Sequence, residues 1–209
     1  MNNYTREQLL LLAKLTAEDL EEIERRRRDH NRLGFAYQLA FMRVYNRFPI
    51  QRPSFEIDHE LLTFVGLQLD VSVGQIDPYH KRQPTLSRHQ EQIRLYLRLS
   101  RFDEEKQAEL EQFLFEEACR LEQMNALLAR AEEFLREQGI LQPAEDTLQR
   151  LIVTQRQAAR EHIYERITGL LAEPFRAILD ELLEGKAGSR TPFQRLKHPP
   201  GQASPKSML

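Results

Sequence analysis

The sequence predicts an all-α chain of two small helix-turn-helix-like subdomains, residues 1–102 and 103–185, followed by a disordered linker tail, 186–209. Three observations carry this reading. Apolar residues recur at i, i+3, i+4 spacing along most of the chain, and no stretch alternates apolar with polar residues as a half-buried strand does. Glycine is scarce (8 of 209 residues) and tryptophan absent, while Leu, Glu, Arg and Gln, all good helix formers, are abundant. The charge changes sign near Phe102. From His80 to Arg101, Lys81, Arg82, Arg88, Arg94, Arg98 and Arg101 stand against Glu91 alone; from Phe102 to Glu117, Asp103, Glu104, Glu105, Glu109, Glu111, Glu116 and Glu117 stand against Lys106.

The elements follow in order. A short apolar helix is expected at Glu7–Leu15. Thr16 and Asp19 have the spacing of a capping box before a helix Ala17–Arg28, whose acidic start and arginine end complement the helix dipole. Asn31 is the expected N-cap of a second helix carrying Leu33, Ala36, Tyr37, Ala40, Phe41 and Val44 on one face, with Gly34 and Ala36 keeping its first turn slim. Asp58 caps His59–Leu69; Ser72 opens Val73–Lys81, with Pro78 disturbing its middle; Gln83-Pro84-Thr85 breaks the chain before Leu86–Leu99. Beyond Phe102, Asp103 caps Glu104–Arg120 and Asn125 caps Ala126–Gln138. Gly139 closes that helix, and a long helix runs from about Ala144 to Leu171. Glu173-Pro174 breaks the chain before a last helix, Phe175–Leu183. The tail from Lys186, rich in Pro, Gly, Ser, Lys and Arg, has no periodicity.

Residues 25–49, RRRRDHNRLGFAYQLAFMRVYNRFP, resemble the N-terminal signature of bacterial replicative transposases of the Tn-three type. Arg32, Leu33, Gly34, Phe35, Ala36, Gln38, Leu39, Arg43, Arg47, Phe48 and Pro49 match it as they stand, while Asn46 replaces a common glycine and Met42 a common leucine. The segments EQGILQPAEDTLQRLI and PFQRLKHPPGQASPKSML resemble the same region. The resemblance implies sequence-specific binding of double-stranded DNA at transposon terminal inverted repeats, by more than one helical module. It also implies that the catalytic domain with its metal-binding acidic residues lies outside this chain, so no enzyme activity is expected. A homodimer formed through that missing C-terminal part is a further expectation.

The residues themselves bound the chemistry. With 30 basic and 32 acidic residues and a net charge of −2, bulk charge argues neither for nor against nucleic acid. The single Cys119 reads as a small buried residue and suits a reducing cytosol. The apolar run Leu9–Ala13 is far too short to span a membrane, and no signal peptide is visible, so the expected location is the bacterial cytosol and nucleoid. His59-Glu60 lacks the second histidine of a zinc helix, and no phosphate-binding glycine loop or nucleophile elbow is present. No metal, cofactor or catalytic residue is therefore expected. Two basic sets remain as the candidate DNA contacts. One comprises Arg25, Arg26, Arg27, Arg28, His30, Asn31, Arg32, Lys81, Arg82 and Arg88; the other, on the helix after the Gly139 turn, comprises Thr147, Arg150, Gln155, Arg156, Gln157 and Arg160. Arginine suits guanine edges and phosphates, and glutamine suits adenine. The competing reading is a solvated helix surface on a non-DNA interaction scaffold, which would instead expose an apolar stripe.

Overall fold

A computed structural model describes residues 5–184 and 191–197 of the chain. The regular structure among them is helical, apart from one isolated bridge between Ser100 and Ile140, so the chain is all-α. It divides into two compact units, residues 1–158 and 159–209.

The first unit is built around α3, Asp29–Tyr45, whose residues are buried without a break from Leu33 to Met42. A helix enclosed on all sides must be apolar all round, and this one is, save for Gln38. Around it pack α1 (Arg6–Leu12), α2 (Ala17–Glu24), α4 (His59–Leu69), α5 (Ile76–His80) and α6 (Gln83–Tyr96). Gly34 is what lets α5 approach: the ring of Tyr79 occupies the space a side chain at Gly34 would fill. Burying that phenol requires partners. Gln38 Nε2 donates to Tyr79 Oη, which lies 2.9 Å from His89 Nδ1. A phenol that accepts from Gln38 can give its own proton to the Nδ1 of a neutral His89. Burial, reinforced by the nearby Arg26 and Arg88, pushes the His89 pKa down to about 4.

A second polar node ties α2, α3 and α6 together. Asp19 is fully buried; Arg43 grips its carboxylate with two hydrogen bonds of 2.6 and 2.7 Å, Tyr96 donates at 2.8 Å and the Thr16 amide at 2.7 Å. Burial alone would raise its pKa, but these donors outweigh it and hold the carboxyl below the ordinary value. Two more phenols are held at the other side of α3. Tyr37 donates to the Glu56 carbonyl at 3.0 Å, and Tyr45 to Asp58 at 2.7 Å.

The expected capping box at Thr16 and Asp19 and the Asp58 cap of α4 are present. Other boundaries shift for identifiable reasons. α2 stops at Glu24, four residues early, because the Arg26 side chain turns back onto the Glu22 carbonyl and carboxylate. Arg28 turns the chain into α3 with φ 73°, so the helix begins at Asp29 and Asn31 is not its cap; its amide donates to the Arg27 carbonyl at 3.0 Å instead. Proline proves a helix starter rather than a breaker. Pro78, Pro84 and Pro174 all fall within first turns, where the missing N–H has no intrahelical partner to lose. Hence α6 begins at Gln83, and the split in Val73–Lys81 falls after a 3-10 turn, Val73–Gln75, ahead of the proline.

The rest of this unit is a helical hairpin, α7 (Glu104–Ala118, capped by Asp103) and α8 (Met124–Glu137), followed by the start of α9 (Glu145–Leu170). Gln123, not Asn125, occupies the α8 cap position, and Cys119 caps α7 only half-buried. Leu110, Leu114, Leu127, Ala131 and Leu135 are buried, with Phe113 stacked on Phe134 at 4.6 Å. Gly139 leaves α8 at φ 63°, the left-handed conformation that favours glycine. The turn that follows is fastened to α3 and to the exit of α6. Ser100 N–H donates to the Gly139 carbonyl at 2.8 Å, and Leu141 N–H returns a bond to Ser100 at 3.0 Å. Asn46, the left-handed cap of α3, donates its side-chain amide to the Ile140 carbonyl at 2.9 Å, and its own carbonyl accepts from Gln142 N–H at 3.0 Å. Arg136 caps α3 from outside, donating at 2.8 and 3.0 Å to the Arg43 and Val44 carbonyls.

The second unit contains the end of α9, then α10 (Glu173–Leu183) and the short α11 (Pro192–Leu196). No α10 residue is buried; Phe175, Ile178, Leu179 and Leu183 lie exposed on it, as do Tyr164, Ile167 and Leu170 on α9. Most of the expected linker tail, residues 186–190 and 198–209, lies outside the described residues.

Candidate nucleic-acid interface

The turn between α2 and α3 brings together part of the first basic set. An open cleft of ≈ 530 Å³ lies here, with Arg25, Arg26, Arg27, Asn31 and the carboxylate of Glu22 on one side and Arg88, His89 and Gln92 of α6 on the other; Arg28, His30, Arg32, Lys81 and Arg82 do not line it. Residues some sixty positions apart thus face one space. Arg82 joins the same neighbourhood: burial first, then repulsion from Arg82 and Arg28, holds the His30 pKa below its ordinary value.

The arginines differ in what they do there. Arg26 is turned inward, its side chain only 8% exposed, paired with Glu22 at 2.7 Å, bonded to Gln92 at 3.1 Å and lying 3.7 Å over the Phe35 ring. It is a packing element. Arg27, Arg28, Lys81, Arg82 and Arg88 are exposed. Arg25 is exposed while paired with Glu22, and Arg32 is half-buried and paired with Asp29 at 2.5 Å. Such surface pairs are weak enough to yield to a phosphate.

The second set does not share one face of α9. At 100° per residue, the buried Leu148, Leu151 and Ile152 define the inner face. Gln155 lies close to that face and is half-buried, as are Thr147 and Arg156, and the Arg156 Nε is buried with no hydrogen-bond partner among the described residues. The outward arc within the first unit holds Arg150, Val153, Thr154 and Gln157. Thr154, which sequence reasoning overlooked, bonds the Arg150 carbonyl at 2.9 Å. Arg160 is exposed and belongs to the second unit. Gln92 and His89 were also overlooked: neither is distinguishable in sequence from an ordinary surface or core residue of α6.

Among the described residues no group of three or more His, Cys, Asp or Glu side chains is placed to hold a metal ion, and no helix is long and apolar enough to cross a membrane.

Residues 1–155 match the family described as "Domain of unknown function (DUF4158)". Similar proteins include the transposase for transposon Tn1546 of Enterococcus faecium (30% identical over 91% of this chain and 19% of its own length). The transposase for transposon Tn3926 of Escherichia coli is 31% identical over the same shares. That for transposon Tn501 of Pseudomonas aeruginosa is 32% identical over 82% of this chain and 17% of its length. The chain spans about a fifth of the length of these relatives. It belongs to the DUF4158 family and is similar to Tn-three-type transposases over about a fifth of their length.

Proposed function

We propose that this chain binds double-stranded DNA sequence-specifically, at the terminal inverted repeats of a transposon, as the end-recognising part of a Tn-three-type transposase in the bacterial cytosol and nucleoid. The observation that carries this is the basic cleft: cations from the α2–α3 turn and from α6 face one open space although the net charge is −2. Screening over about 8 Å at physiological salt makes the local field, not the total charge, decide phosphate contact. In this reading Arg27, Arg28, Lys81, Arg82 and Arg88 grip phosphates, Arg26 props the cleft, and Arg150 with its outward neighbours on α9 reads base edges. The two contact regions act as two helix-turn-helix-like modules, 1–102 and 103–185. Strand chemistry, and any homodimer contact, belong to the part of the longer relatives that this chain does not span.

The test is equilibrium binding of the whole chain to an inverted-repeat duplex and to a scrambled duplex of equal length, across a salt series. If about five phosphates are contacted, log K falls with log salt at a slope of roughly −4 to −5. Absence of salt-dependent binding refutes DNA recognition; equal affinity for both duplexes refutes sequence specificity.

One observation favours a second reading, an interaction scaffold: the apolar face of Phe175, Ile178, Leu179 and Leu183 on α10. Sedimentation of the chain and of its Ile178→Asp variant tests it. Self-association that the variant abolishes supports a protein-docking role for the second unit, and monomeric behaviour of both removes docking to a second copy.

A further inference from the structure

From the junction between α3 and the turn 139–142 we infer that Asn46 and Arg136 are positioning residues that hold the two DNA-contact sets at one fixed spacing. This rests on the DNA-binding reading above. α3 has 17 residues and is roughly 25 Å long at 1.5 Å per residue. The arginine cluster Arg25–Arg28 immediately precedes its first turn, and its last turn anchors the segment that leads into α9. The anchor is specific. The Asn46 amide holds the Ile140 carbonyl at 2.9 Å, the Asn46 carbonyl holds Gln142 N–H at 3.0 Å, and Arg136 spans the last carbonyls of α3 at 2.8 and 3.0 Å. α9 begins three residues beyond Gln142, with Arg150 in its second turn. α3 is thus a strut with one contact set at its head and the other pinned to its foot.

Asn46 is where the sequence departs from the glycine common in the signature. At φ 53° the position is left-handed, which explains the glycine; asparagine tolerates the same conformation and adds a side chain that reaches the turn. The departure therefore tightens the junction without changing the cap. A rigid spacing converts two weak contacts into one strong one only on DNA whose two contact stretches have the matching separation and rotation.

Asn46→Gly retains the left-handed cap and removes only the amide tie; Arg136→Gln removes the outer clasp. Three proteins (wild type, Asn46→Gly and the double variant) are titrated with the inverted-repeat duplex, and with the same duplex carrying 5 or 10 extra base pairs at its centre. Five base pairs rotate one half by about half a turn and ten restore the phase. The wild type is expected to lose about tenfold or more in affinity on the five-pair insert and to recover in part on the ten-pair insert. The double variant is expected to bind the native duplex about tenfold more weakly and to show an insertion penalty below about threefold, with Asn46→Gly between the two. Amide exchange supplies a readout that needs no DNA: Asn46→Gly leaves the Ile140 and Gln142 N–H groups their acceptors, the Leu135 and residue-46 carbonyls, so the faster exchange expected at both reports a loosened turn while α3 keeps its protection. Unchanged exchange in that variant, or a double variant with wild-type affinity and wild-type insertion penalty, overturns the inference. A wild type with no preference for the repeat overturns instead the DNA reading on which it rests.

Discussion

Replacing Gly34 by alanine adds one methyl group where the structure has none to spare. The new Cβ would lie 2.2–2.4 Å from Cδ1, Cγ and Cε1 of Tyr79. That ring cannot step aside cheaply: it is fully buried, its hydroxyl is held between Gln38 and His89, and it stacks on the His89 ring at 5.6 Å. Either α5 moves off α3 or the phenol leaves its partners. Overpacking costs about 1–3 kcal/mol. Loss of the Tyr79 hydrogen bonds, leaving buried groups unmatched, adds about 1–3 kcal/mol. The intrinsic preference of a helix interior for alanine over glycine returns about 1 kcal/mol. The net expectation is destabilisation by about 1–5 kcal/mol, a large share of the roughly 5–15 kcal/mol typical of a folded chain. Urea denaturation of the whole chain, followed by far-ultraviolet circular dichroism, measures it. A midpoint shift equivalent to less than about 0.5 kcal/mol would refute the account. A Tyr79→Leu background locates the clash: Gly34→Ala should cost less there, and strictly additive effects would show that the methyl meets something else.

Three further outcomes follow from the polar nodes and the basic sets. His89 is neutral in the fold with a pKa of about 4, below its ordinary 6.5, so the unfolded chain binds the extra proton. Its contribution is complete above pH 6.5 and is lost as pH falls toward 4, up to about 3 kcal/mol, and His89→Gln should flatten that part of the stability profile. Asp19→Ala leaves the Arg43 guanidinium and the Tyr96 hydroxyl without their partner and should cost about 3–5 kcal/mol. Because the Asp19 carboxyl is held below its ordinary 3.8, its own loss of stability sets in only below about pH 4, separable from that of His89. On DNA, Arg27→Ala and Arg88→Ala should weaken binding to any duplex and flatten the salt slope by about one each, whereas Arg150→Ala should narrow the gap between repeat and scrambled duplex by about 1–3 kcal/mol; the reverse pattern would exchange the roles of the two sets.

Sequence reading recovers the architecture because helical periodicity and local caps are short-range signals. The Thr16–Asp19 box, the Asp58 and Asp103 caps and the Gly139 terminus depend on residues within four positions of one another. Prolines were misread as breaks because their effect depends on where the helix starts, which Pro84 and Pro174 do not themselves announce. The site was legible as composition and not as geometry. Four consecutive arginines look equivalent in the sequence, yet Arg26 is buried over Phe35 by contacts up to 66 positions away, while Arg27 and Arg28 stay outside. On α9 the inner face is set by which residues the core accepts, so Gln155 turns partly in and the overlooked Thr154 turns out. The Asn46 junction is longer-range still, joining positions 94 apart, and only the unusual residue in the signature hints at it.

The buried phenols have an optical consequence. The chain has six tyrosines and no tryptophan, so ionised tyrosine dominates its near-ultraviolet difference spectrum in alkali. Burial raises the pKa of Tyr37 and Tyr79, and burial followed by hydrogen bonding to Asp58 and Asp19 raises Tyr45 and Tyr96 to about 12. Above pH 10 an unfolded chain releases protons that the fold retains, so stability declines as pH rises from there. Phenolate absorbance from these four rings and loss of the helical signal should therefore arrive as one cooperative event, which makes a colourless, unlabelled protein its own reporter of whether α3 is still enclosed.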